Sequence, residues 1–153
     1  MTRSMLRTTT LVLAAFTLLA SALAEAQWVL LARRAIGRVE QMSQTTPGNG
    51  PTFDTATVII DAPADRVYDV VARRIKSAQG VTVSRGDDAD RTLEFSNGPQ
   101  SATIRVSALG DALAQLMVSA AGTGAQPSPM PAIVDHILAA CKELNVECER
   151  AQK

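Results

Sequence analysis

Apolar and polar residues alternate in a regular order through the second half of the chain. Phe53 to Asp61 (FDTATVIID) is rich in Thr, Val and Ile and predicts a strand. From Pro63 to about Gln79, Val67, Val71 and Ile75 recur at helical spacing, with Val70 and Ala78 beside them. Asp65, Arg66, Asp69, Arg73 and Lys76 fall on the opposite side, so the segment predicts an amphipathic helix. Pro63 suits its first position, where a missing N–H costs nothing, and Gly80 suits its left-handed close. Asp69 and Arg73 are spaced for an i,i+4 pair.

Four short strand-like segments follow. Val81 to Arg85 leads into the polar turn Gly86–Asp90, and Thr92 to Ser96 puts Leu93 and Phe95 on one face. Asn97-Gly98 is a favoured hairpin pair because both residues tolerate positive φ. Ala102, Ile104, Val106 and Ala108 alternate with polar residues, and after Gly110-Asp111 the segment Ala112 to Ala120 turns Leu116 and Val118 inward. Ser128-Pro129 opens a last helix, whose inner stripe is Ile133, Ile137, Cys141 and Leu144 and which Asn145 ends. Strand, helix, four strands, helix is an α+β order. It implies an antiparallel β-sheet (a four-stranded meander plus an N-terminal strand) with two helices packed on one face.

Upstream the pattern is less regular. Trp28 to Gln44 carries apolar residues at helical spacing, yet Gly37 interrupts it and Arg38–Met42 also alternates. Helix and strand both remain open, with a strand beginning near Gly37 preferred. The run's basic residues also allow contact with a membrane surface. Thr45 to Pro51, with two Pro and two Gly, reads as a flexible connector into the main domain. Residues 1–26 have the layout of a secretory signal peptide: Arg3 and Arg7, the apolar run Leu11–Ala20, then small residues that allow cleavage after Ala24 or Ala26. The apolar run is too short to span a bilayer. The expected organisation is a signal peptide (1–26), an N-terminal segment and Pro/Gly linker (27–52), a single α+β domain (53–148) and a tail (149–153). The expected location is periplasmic or secreted.

Composition narrows the chemistry. The chain has 153 residues with 15 basic and 15 acidic side chains, a balance unlike that of a nucleic-acid binder that neutralises many phosphates. Only Trp28, Phe53, Tyr68 and Phe95 remain as aromatics beyond the leader, too few for a stacking platform. Two cysteines, Cys141 and Cys148, are expected to form a disulfide in an oxidising compartment, with a left-handed turn at Asn145 folding the end of the chain back. His136, the one histidine, lacks the partners of a metal site and reads as a surface residue. Asp87, Asp88 and Asp90 read as a solvated turn, not a calcium loop. No G-x-S-x-G elbow, P-loop or G-x-G-x-x-G is present. The expectation is therefore no enzyme, no catalytic residues, no cofactor and no metal.

The segment Thr57 to Ile75 (TVIIDAPADRVYDVVARRI) resembles the entry of START/Bet v1-like lipid-binding domains, in which a strand ending in Ala-Pro feeds a helix with a Val-aromatic pair. Here those are Ala62-Pro63 and Val67-Tyr68. Over Phe53 to Leu144 the order of elements is also similar to that of small secreted bacterial envelope proteins of unknown function, and this second resemblance is preferred. The first implies a cavity for an apolar ligand between the last helix and the sheet. The leading expectation is an exported envelope domain that binds a protein or other envelope component. The alternative is a carrier of a small apolar ligand in a helix–sheet groove lined by Val67, Val71, Leu116, Val118, Ile133 and Ile137.

Overall fold

Alternation of buried and exposed residues along four consecutive strands builds the centre of the structure. This is a computed structural model, which describes residues 35–45, 52–122 and 128–151. The strands are β1 (Arg38–Thr45), β2 (Thr52–Ile60), β3 (Thr82–Asp87), β4 (Thr92–Asn97), β5 (Gln100–Gly110), β6 (Leu113–Gly122) and β7 (Glu149–Arg150). Helix α1 (Ala64–Ser77) lies between β2 and β3, and helix α2 (Met130–Leu144) lies between β6 and β7. The strands form one sheet in the order β3-β4-β5-β6-β2-β1-β7. Every pairing is antiparallel except that of β1 with β7.

The buried face follows from register. Ile104 lies opposite Leu93 on one side and Val118 on the other, and Val118 lies opposite Ala56. Next along, Val106, Leu116 and Val58 form a second row across β5, β6 and β2. All of these side chains are buried, and their neighbours in sequence alternate to the other face. The apolar stripes of the two helices cover the buried residues. The helices pack on each other, α1 also contacts β5 and β6, and α2 contacts β2. Val67, Val71 and Ile75 of α1 and Ile133, Ile137 and Leu144 of α2 join that core.

Three features depart from the sequence expectation. The sheet has seven strands, not five, because β1 pairs with β2 from Glu40↔Thr57 to Thr45↔Thr52. The residues placed in a linker segment thus include a full strand of the sheet. Residues 46–51, the centre of the Pro/Gly run, lie outside the described residues, as do residues 1–26, expected as a signal peptide, and Trp28–Arg34. Within the basic stretch Trp28–Gln44, the strand preferred near Gly37 is present: β1 begins at Arg38, and Ala35–Gly37 before it lie outside the strand. At the other end, Glu149 and Arg150, expected in a tail, pair in parallel with Arg38 and Val39.

Smaller shifts have local causes. The β4–β5 hairpin turns on Gly98-Pro99, one residue later than expected, because Asn97 pairs with Gln100. Only Gly98 takes a positive φ there (59°), and the ring of Pro99 forbids one at the next position. Helix α1 ends at Ser77, with Ala78 already extended, and Gly80 takes its left-handed conformation (φ 76°) two residues later. Asn145 closes α2 with φ 60°, as expected, and Val146 N–H donates to the Cys141 carbonyl at 3.0 Å. That reversal brings Cys141 and Cys148 together in a disulfide, with their Cα atoms 6.0 Å apart.

Candidate functional site

Small side chains on facing elements leave the core incompletely filled at one end. Ala78 just past α1, Ala102 of β5 and Ala132 of α2 border a cavity of about 440 Å³, within the range of small-molecule sites. Its walls are apolar: Val71 and Ile75 from α1, Phe95 and Ile104 from the sheet, Ile133 and Ile137 from α2. Its rim is polar. Gln79, Ser96, Asn97, Gln100 and Ser101 border it on the side of the β4–β5 hairpin, with Arg74 of α1 and His136 of α2.

Of the six groove residues expected from sequence, the structure brings Val71, Ile133 and Ile137 to this cavity. Val67, Leu116 and Val118 do not line it. They are fully enclosed in the packed core. Phe95, Ile104 and Ile75 take their place in the lining. His136 is exposed, as expected, but it also borders the cavity mouth, which its position on the helix alone did not reveal.

Arg74 is positioned by a carboxylate from the other helix. Its Nε donates to Glu143 Oε2 at 3.0 Å, and its Nη2 lies 2.9 Å from the same oxygen. Arg73 pairs with Oε1 of Glu143, so two guanidiniums share one carboxylate. The expected Asp69–Arg73 pair is replaced by this link between helices, 70 residues apart in sequence for Arg73 and Glu143. Glu143 does not line the cavity, whereas Arg74 does.

Two carboxylates away from the cavity also have distinct environments. Asp88, in the turn expected to be solvated, accepts a hydrogen bond from the Tyr68 hydroxyl at 2.8 Å. Burial, followed by this hydrogen bond and the charge of Asp88, pushes the Tyr68 phenol up to about 12. Asp54, on the buried face of β2 opposite Ala120, is 6% exposed, and its Oδ1 has no hydrogen-bond partner. On the other face of the sheet, Met42, Phe53 and Met117 are exposed.

No protein-family model matches the sequence, and no curated protein matches it. The fold is similar to that of a conserved protein of unknown function from Enterococcus faecalis, at TM-score 0.50 and 8% identity, over 70% of this chain and 77% of that one. CalU16 from Micromonospora echinospora matches at TM-score 0.45 and 15% identity, over 70% of this chain and 89% of that one. The Zhui aromatase/cyclase from Streptomyces matches at TM-score 0.34 and 14% identity, over 71% and 89%. These matches correct one expectation. The expectation of no enzyme, which rested on missing motifs, does not stand, since aromatase/cyclases occur among the chains of similar structure. At such TM-scores no activity passes from those chains to this one.

Proposed function

We propose that this chain binds a small, largely apolar ligand in the cavity between α1, α2 and the β4–β5 side of the sheet. One observation carries this reading: a cavity of about 440 Å³ lined largely by apolar residues, Phe95 and Ile104 among them, together with polar ones. Burying an apolar body there gains about 25 cal/mol per Å² removed from water, and the rim residues fix its orientation. The same cavity weighs against the expectation of a domain that binds a protein or envelope component through a filled core and an outer patch. The START/Bet v1-like resemblance of Thr57–Ile75 supports a ligand in this position.

Export belongs to the same reading. A disulfide between Cys141 and Cys148 suits an oxidising compartment, and the leader-like order of residues 1–26 supplies the route. The intact mass of protein recovered from a bacterial periplasm tests it, with a chain beginning at Gln27 or Glu25 expected.

Binding is tested by titrating 8-anilinonaphthalene-1-sulfonate into the wild-type protein and into Ala132→Trp and Ala102→Leu, two variants that fill the cavity. Saturable binding by the wild type, and its loss in both folded variants, is expected. Equal fluorescence from all three proteins would mean the probe binds elsewhere and would overturn the reading.

A further inference from the structure

The charges at the cavity mouth are one-sided. Among the described residues that line the cavity, Arg74 and His136 are the only ionisable ones, and no carboxylate accompanies them. Arg74 comes from α1 and His136 from α2, so both helices bring a basic group to the same opening. The carboxylate that could cancel Arg74 is divided. Glu143 holds both Arg73 and Arg74, which leaves the trio with one net positive charge. The pairing also uses a single edge of Arg74. Nε and Nη2 both meet Oε2, and Nη1 takes no part in the contact with Glu143. Glu143 thus braces the guanidinium from outside while the residue still borders the cavity.

From this arrangement we infer that the ligand is an amphiphile with an anionic head, its apolar body in the cavity and its head at Arg74 and His136. This rests on the apolar-ligand reading and adds the class of head group. A cationic head would meet like charge from Arg74 at the mouth of this cavity. A neutral alcohol would accept a hydrogen bond from Arg74 but bring no opposite charge to pair with it. A carboxylate or sulfonate would gain both the planar donors of Arg74 and the field of its uncancelled charge. The polar rim of Ser96, Asn97 and Gln100 then supplies neutral contacts around that head.

Three probes that share one apolar body separate this from the parent reading: dodecanoate, dodecanol and dodecylamine, measured by displacement of a fluorescent probe at fixed ionic strength. Dodecanoate is expected to bind at least about tenfold more tightly than dodecanol, the ratio a charge-assisted contact supports. Dodecylamine is expected to bind most weakly. In Arg74→Gln the preference for the carboxylate over dodecanol should collapse. In Glu143→Gln it should grow, because the positive charge at the mouth rises. A purely structural role for the Arg74–Glu143 pair would weaken all three probes in both variants. Equal binding of dodecanoate and dodecanol to the wild type would overturn the anionic head and leave the apolar-ligand reading standing. Failure of all three probes to bind would overturn both.

Discussion

The Tyr68 hydroxyl donates to Asp88 Oδ1 at 2.8 Å and reaches the Thr92 carbonyl at 3.4 Å, which ties helix α1 to the turn between β3 and β4. The ring is 4% exposed and belongs to the core, so one side chain packs the helix onto the sheet and also holds the turn. Arg91, in that turn at φ 50°, adds a second link through its Nε to Asp65 Oδ1 at 2.5 Å. Tyr68→Phe keeps the packing and removes the hydrogen bond. A loss of about 1 kcal/mol is expected on chemical denaturation.

The same contact predicts a dependence on alkaline pH. Folding favours the neutral phenol and raises Tyr68 from its ordinary 10.0 to about 12. Its contribution to stability is therefore complete below pH 10 and is lost as pH rises from 10 through 12. The chain has a single Tyr, so the ultraviolet absorbance of tyrosinate reports this group alone. Titration of the folded protein with an ordinary midpoint near 10 would contradict the buried Tyr68–Asp88 contact.

Gly37 sits where β1 and β7 meet. Its φ is 78°, its N–H donates to Ile59 O at 2.6 Å, and its carbonyl accepts from Glu149 N–H at 2.8 Å. A methyl group there would fall on the carbonyl oxygen of Glu147. Gly37→Ala combines a disfavoured backbone angle with a clash against main chain, and is expected to cost more than about 1 kcal/mol. The loss should appear in the denaturation midpoint together with faster amide exchange at Glu149. A variant as stable as the wild type would show that the β1–β7 junction does not form.

The sequence makes some of this fold readable and hides the rest for physical reasons. Strands β4, β5 and β6 are half-buried on a two-residue period, so Leu93, Ile104 and Leu116 disclose their inner face directly. Strand β1 buries little beyond Val39 among its residues of known exposure, and a strand with so few inward apolar residues has no clear alternation to detect. Strand β7 is two residues held by main-chain bonds, which any side chain would allow. The candidate site was half legible. Val71 and Val67 have the same spacing and chemistry on α1, but only Val71 faces the cavity. What separates them is how the facing elements close around each: Val67 is fully enclosed in the core while Val71 borders the cavity, a difference that exists only in the folded chain. The Arg73 and Arg74 pairing with Glu143 was hidden for the same reason.

The disulfide fastens the chain end that supplies β7. Cys141 is fully buried in α2, and Cys148 directly precedes Glu149. Cys148→Ala removes the bridge and leaves a buried thiol that packs as a small apolar group. Closing a loop this short contributes about 2 kcal/mol, and that loss is expected in the variant and in reduced wild type alike. Amide exchange at Glu149 and Ala151, whose N–H groups bond to Gly37 and Val39, should rise first. Identical stability with and without reductant would argue that the bridge is not formed in solution.

Asp54 makes a prediction of opposite sign. It is buried, lies opposite Ala120 in the β2–β6 pair and Ser43 in the β1–β2 pair, and its Oδ1 has no partner. An unpaired buried acceptor costs about 1–3 kcal/mol. Asp54→Ala is thus expected to leave stability unchanged or raise it, where truncating a well-bonded buried side chain would lower it. A marked loss of thermal stability would mean that Asp54 has a partner in solution.

Packed core and open cavity should respond differently to the same kind of truncation. Leu116 is enclosed on every side, and Leu116→Ala is expected to cost about 2–5 kcal/mol, since the neighbours collapse only partly into the space it leaves. Ile133 borders a space that is already open, so its removed atoms had fewer partners to lose. Ile133→Ala should cost well under half as much. Urea denaturation of both variants decides the matter, provided their dependence on denaturant stays that of the wild type. Equal losses would mean that the wall around Ile133 closes in solution and leaves no room for a ligand. A small loss at Ile133 beside a large one at Leu116 would mark the cavity as a standing feature of the fold.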